Sequence, residues 1–225
     1  AIEDTPGQDV ARLQADPRFQ LIKGEIPGHP RAFFQNTERA PLDDINVRKA
    51  LETGINREEV VQLATFGTQP MSPGPFSPPT PGHSEKADNF YPFDAAKAGE
   101  MLDTAGWVMG ADGIRARNGE SLTLKTIGFA VFRALYEASQ SNLRQIGVNL
   151  DLQIIDTAAA VEANHRGDHH WAMTGVVASD PSNIALLYHS RNYNGYDWSR
   201  VQDPAFDKMW DDAASELDRE KRLKM

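Results

Sequence analysis

The order of apolar and polar residues changes period several times along the chain, and each change marks an element. Residues 9–15 carry a short helical pattern stopped before Pro17. Residues 19–25 (FQLIKGE) and 31–37 (RAFFQNT) read as two strands separated by Pro27, Gly28 and Pro30. Ile45, Val47, Ala50 and Leu51 then fall at helical spacing, and Gly54 suits the end of that helix. Asn56 with Glu59 three residues later is a capping-box signature for a second helix carrying Val60, Val61 and Leu63.

Residues 69–92 break the pattern. They hold half of the fourteen prolines, with Phe76, Phe90 and Tyr91 interleaved. Proline fixes the backbone and removes donors, so an ordered strap over one end of a sheet is expected. Regular periodicity resumes after Asp94, a good N-cap, with an amphipathic helix ending at Gly106. A strand, a hairpin turn at Asn118–Gly119 and a second strand with Leu122, Leu124 and Ile127 follow. Next come the helix VFRALYEASQSNLRQIG, the strand VNLDLQII, the helix AAAVEANHRG, the strand WAMTGVVA and a closing helix DPAFDKMWDDAASEL. This β-α-β-α-β succession predicts parallel strands with helices packed on the sheet, an α/β architecture. The chain opens within a helix pattern and closes soon after Asp218, a further N-cap, so it is expected to be a piece of a longer protein.

Composition narrows the function classes. Hydrophobic residues make up 40% of the 225 and charged residues 24%, an ordinary globular balance. The net charge of −9 repels phosphate backbones, so nucleic acid is not an expected partner. No apolar run approaches the roughly 20 residues of a membrane helix, and no basic-then-apolar leader is visible at the N-terminus. With no cysteine, disulfides, thiol catalysis and Cys-ligated metal are excluded.

Motifs for chemistry are sparse. There is no G-x-S-x-G elbow, P-loop or G-x-G-x-x-G. The one histidine cluster, HRGDHH, puts His165 and His169 four apart, but Gly167 and Asp168 between them read as a helix end, which breaks the geometry a metal needs. No dedicated metal site and no cofactor are expected, with a metal-chelate binder using His169 or His170 as a minor alternative. Ser179, Asp180 and His189 form a conceivable hydrolytic set, although adjacent Ser and Asp at a strand end ordinarily cap backbone. The paired carboxylates Asp43–Asp44 and Asp211–Asp212 read as solvated helix charges.

Four segments in order resemble a known family. ERAPLDDINVRKALETGINREEVVQLATFGTQPMSPGPFSP is similar to its Asn-Thr strand, turn and V-R-x-A helix. FDAAKAGEMLDTAGW with DGIRARNGESLTL is similar to its D-x-x-K-A-x-x-L-L-x-x-A-G-(W/Y) segment and the D-G and G-x-x-L that follow. NLRQIGVNLDLQII resembles L-x-x-I-G-(I/V)-x-(V/L), and HHWAMTGVVASDPSN with NYNGYDWSRVQDPAFDKMWDDA resembles its closing loop and helix. The family is solute-binding protein family 5 of ABC importers, which includes dipeptide-, oligopeptide- and nickel-binding proteins.

The resemblance implies an α/β lobe of the periplasmic binding protein type II kind, with a mixed sheet and flanking helices. It implies a hinge-side flank and first strands over residues 1–40 and a C-terminal ligand-binding lobe over 41–225, truncated at its C-terminal helix. Members are two-lobed and periplasmic or anchored outside the membrane, and they deliver ligand to permease transmembrane subunits without catalysis. The missing N-terminal lobe and a peptide or small polar solute are therefore implied partners. By that resemblance the ligand-binding candidates are Ser179, Asp180, Ser182, Asn183, Asn194, Tyr196 and Trp198. The chain departs from peptide binders in two ways. It has Val177, Ala178 and Ser179 where an earlier Asp is usual, and Val176 where a tryptophan is common. A sugar or opine thus remains an alternative ligand, and an α/β hydrolase-like enzyme using Asp180 is the alternative of another class. Because Pro181 suits the first helical position, Asp180 is expected to cap the helix, leaving Ser179 and the loop amides to the ligand.

Overall fold

Asp44, Asn56, Asp94, Asp156, Asp203 and Asp218 each precede a helix, and the side chain of each accepts a hydrogen bond from an amide of its first turn. These caps satisfy donors that a helix start leaves open, which is why the sequence signals the starts so well. The computed structural model describes residues 7–22, 24–178 and 180–225. In chain order the elements are α1 (Gly7–Gln14), β1 (Gly28–Gln35), α2 (Ile45–Gly54), α3 (Arg57–Thr65), α4 (Ala95–Thr104), β2 (Val108–Met109), β3 (Arg115–Arg117) and β4 (Glu120–Ser121). They continue with β5 (Thr123–Phe129), α5 (Arg133–Gln145), β6 (Asn149–Ile155), α6 (Thr157–His165), β7 (Trp171–Val177), α7 (Ala185–Tyr188), α8 (Pro204–Ser215) and α9 (Arg219–Arg222).

The main sheet has the order β1-β7-β5-β6. Strands β5, β6 and β7 are parallel, as the alternation of strands and helices predicts, while β1 runs antiparallel to β7. The sheet is therefore mixed. Although β1 lies before residue 41, its pairing with β7 places residues 28–35 in the same sheet as the rest of the lobe. The hairpin at Asn118–Gly119 forms with φ of 55° and 85°, but its strands build a separate small sheet, β2-β3-β4.

One expected strand is absent. The described residues of the 19–25 segment form no strand, and Phe19 and Ile22 are 48% and 84% exposed. An apolar extended run becomes a strand only where a neighbour completes its ladder and a face is covered, and this segment has neither.

Two apolar clusters sandwich the main sheet. One packs α2, α4 and α5 on it through Leu51, Leu102, Leu143 and Trp171; the other packs α6 and α7 through Ala160, Leu187 and Trp198. Strand alternation sorts β1 between them: Phe33 stacks on Trp171 with ring centroids 3.7 Å apart, while Phe34 joins the second cluster. The Pro-rich segment is a strap, as expected. Ser77 Oγ donates to the Ile26 carbonyl at 2.7 Å, and the Gly28 amide donates to Thr80 Oγ1 at 2.8 Å, so it is tied to the chain where β1 begins. Among the described residues no helix is long and apolar enough to cross a membrane.

A buried amide ties α3 to α5. Asn142 accepts from the Asn56 amide at 2.7 Å and donates to Glu59 at 2.9 Å, so both polar ends of its side chain are used. Replacing it with alanine leaves a helix-start amide and a carboxylate without partners. Asn142→Ala is expected to cost about 1–3 kcal/mol in urea denaturation; an unchanged midpoint would show that water replaces both bonds.

Candidate functional site

Parallel pairing brings the carboxyl ends of β5, β6 and β7 to one edge of the sheet, where α/β folds offer loops and helix starts to ligands. Antiparallel β1 begins at the same edge. At or just beyond the end of each parallel strand stands an exposed apolar residue. Val131 follows β5 and is 79% exposed, Ile155 closes β6 at 41%, and Val177 closes β7 at 75%. Phe132 lies beside Val131, and the guanidinium carbon of Arg31 sits 4.4 Å from the centroid of its ring. This rim carries no motif. Its signal is an apolar residue just where a strand should turn polar.

The loop after β7 holds most of the sequence candidates. Asp180 accepts from the Ser182 amide at 2.9 Å and so caps the short 3-10 turn Pro181–Ile184. The Ser182 amide first, and then its hydroxyl, holds the Asp180 carboxyl below the usual carboxylate range. Ser182 and Asn183 are exposed. Ser179 lies outside the described residues.

The other three candidates lie elsewhere. Asn194 lines an open groove of about 620 Å³ against α6, with Ala158, Val161, Glu162, His165 and Arg166; Asp180, Ser182 and Asn183 are not among its walls. Tyr196 is half-buried, its ring edge-on to His165 at 4.8 Å. Trp198 is 1% exposed and stacks between Tyr196 and Phe129. The structure thus places Trp198 in the core, where its ring presents no face to a solute, because three strands and α6 close over it.

The histidines are structural. His169 is fully buried and its Nε2–H donates to the Trp198 carbonyl at 2.9 Å. His170 Nδ1 accepts from the Lys125 amide at 3.0 Å, so His169 and His170 have separate partners. Among the described residues no three His, Asp or Glu side chains converge as a metal site. His189 lies 3.3 Å from both Asp207 and Asp211 of α8, while Asp180 serves Ser182, so these groups form no relay. His29 is buried at the start of β1, donating through Nδ1 to the Pro30 carbonyl and accepting at Nε2 from the Tyr188 hydroxyl, both at 2.6 Å.

With this geometry in view, comparison with known proteins places the chain. Residues 1–198 match the family described as Bacterial extracellular solute-binding proteins, family 5 Middle, and the chain belongs to that family. Among relatives, the Nickel-binding periplasmic protein of Escherichia coli is 32% identical over 151 residues, covering 65% of this chain and 28% of that protein. Heme-binding protein A of Haemophilus influenzae is 24% identical over 228 residues, covering 96% of this chain and 39% of its own length. Among solved structures, the oligopeptide-binding protein AppA of Bacillus subtilis, in complex with a nonapeptide, superposes with a TM-score of 0.83 at 23% identity, covering 97% of this chain and 45% of AppA. The chain therefore spans less than half the length of these relatives, and the fold is that of a periplasmic binding protein lobe.

Burial pushes His29 and His169 from 6.5 down to about 4; for His169 the nearby Arg200 and Arg39 add to the effect. The unfolded chain binds protons at both residues in this interval while the folded chain excludes them. Stability present above pH 6.5 is accordingly lost as pH falls toward 4. Urea denaturation at several pH values in that window should show a loss on the order of 5 kcal/mol, about half from each histidine, and the double replacement His29→Gln and His169→Gln should flatten the slope. A flat profile for the unaltered chain would contradict this.

Proposed function

We propose that this chain is a ligand-binding lobe of an extracytoplasmic solute-binding protein that holds a small solute in a cleft and passes it, chemically unchanged, to an ABC permease. The observation that carries the reading is the family match over residues 1–198, combined with a rim of exposed side chains at the carboxyl ends of three parallel strands. A second lobe, supplied by the rest of a longer protein, closes over that rim. Relatives are named for nickel, heme and peptides, so one architecture serves ligands of different chemistry, and the rim residues set which. In this reading Ser182, Asn183 and the loop amides meet the solute, while Asp180 shapes the loop. Asn194, on the α6 groove, and Tyr196, packed on His165 and Trp198, are left out of this contact set. A hydrolytic reading has no support in the geometry, since Asp180 and His189 are each committed to other partners.

Native mass spectrometry of the complete natural protein, purified without added ligand, tests this. A bound small solute that is released unchanged is expected; a solute converted to product would sink the reading. If Asp180 acts as a cap, Asp180→Ser keeps solute affinity within about threefold, whereas Asp180→Ala lowers stability by about 0.5–2 kcal/mol. Loss of binding in Asp180→Ser with unchanged stability would make the carboxylate a ligand contact instead.

A further inference from the structure

The one cation on the rim that contacts Phe132 is unpaired. Arg31 lies in the irregularity of β1 between His29 and Ala32, opposite the end of β7. Gly175 makes this position possible: a Cβ there would stand 2.9 Å from the Pro30 oxygen and 3.0 Å from the Arg31 nitrogen, so a larger residue would push β1 away. From there the Arg31 side chain reaches past β7 to Phe132 at the end of β5, where its guanidinium lies over the ring. Among the described residues it has no hydrogen-bond or carboxylate partner. Arg48, Arg117 and Arg144, which also lack a carboxylate partner, each donate to a backbone carbonyl, the neighbouring Arg133 pairs with Glu137 at 3.4 Å, and Arg222, likewise without a hydrogen-bond partner, has the Asp180 charge nearby.

A guanidinium stacked on an aromatic face keeps its edge donors available, in the planar fork that matches a carboxylate. On the same edge of the sheet Val131, next to Phe132 in sequence, Ile155 and Val177 are exposed, and Asp180, the acid of the adjacent loop, is turned to the Ser182 amide. The rim thus presents a cation among apolar side chains, in a chain whose net charge is −9.

We propose that Arg31 is a specificity-determining residue of this site, and that the solute is an organic anion whose carboxylate meets Arg31 and whose apolar body lies against Val131 beside the Phe132 platform. The inference rests on the solute-binding reading above and adds the charge of the ligand. Phe132 acts as the platform that holds the guanidinium at the mouth, which limits the rotamer freedom lost when the anion arrives.

Calorimetric titration of the complete natural protein with three matched pairs tests it: leucyl-leucine, N-acetyl-phenylalanine and hexanoate, each with its primary amide. At least one carboxylate is expected to bind, its amide about tenfold or more weaker, from loss of a charge-assisted contact. Arg31→Gln should erase the acid–amide difference and Arg31→Lys should keep most of it; Arg31 is exposed, so both variants are expected to fold. Equal binding of acid and amide, or a difference that survives Arg31→Gln, overturns the assignment. Failure of all six probes overturns the carboxylate class as well, while a solute recovered by native mass spectrometry would still uphold the solute-binding reading.

Discussion

The pairing of β1 with β7 is the constraint on which the rest of the lobe depends. Phe33 and Phe34 are neighbours in sequence and serve opposite faces, one stacked on Trp171 and the other joined to Trp198, Phe129 and Leu187. A slip of one residue would exchange them and open both clusters at once. The register is held beyond the strand by the Asn36 amide, which donates to the His170 carbonyl at 2.9 Å, and by the Asn36 side chain, which donates to the carbonyls of Gly167 and His169. Fixing β1 against β7 also fixes Arg31 beside Gly175, so core packing and the make-up of the rim share one cause.

The histidine-rich turn between α6 and β7 follows from the same constraint. A helix that ends and reverses into a buried strand leaves carbonyls pointing into the protein, and these need donors. Arg200 donates to the His165 carbonyl, Arg39 and Asn36 to Gly167, and Asn36 again to His169. Gly167, at φ 76°, makes the reversal, and Asp168 takes the ion pairs with Arg39 and Arg166. What reads in sequence as a possible metal cluster is a carbonyl-satisfying turn in which His169 and His170 have separate partners. Sequence spacing gives proximity along the chain; it does not give the direction of the rings.

Elements with a local physical cause are legible in the sequence itself. Caps at Asn56, Asp94, Asp180 and Asp218, the Asn118–Gly119 turn and the strand periodicity of β5 to β7 all arise from interactions within a few residues. The misreadings have a common origin in distant partners. The 19–25 segment has strand composition but no neighbour to complete a ladder, and Trp198 looks like an accessible ring until α6 and β5 close over it. The rim is not legible either. Val131, Ile155 and Val177 are ordinary strand-end residues in sequence, and Arg31 lies in what reads as the start of a strand, so only the parallel order of β5, β6 and β7 brings them to one edge.

Burial therefore divides the candidate residues more sharply than residue type does. Trp198, His169 and His29 have the chemistry of ligand groups, yet each is buried, and each nitrogen or ring that could recognise a solute is turned to the protein's own backbone or core. Side chains left at the carboxyl edge are mostly apolar or small and polar, with Arg31 as the exposed cation that contacts Phe132. Val131, Ile155, Val177 and Arg31 are exposed, outside the two buried clusters that pack the sheet. A fold whose packing and whose exposed edge draw on largely different side chains can vary one without rebuilding the other.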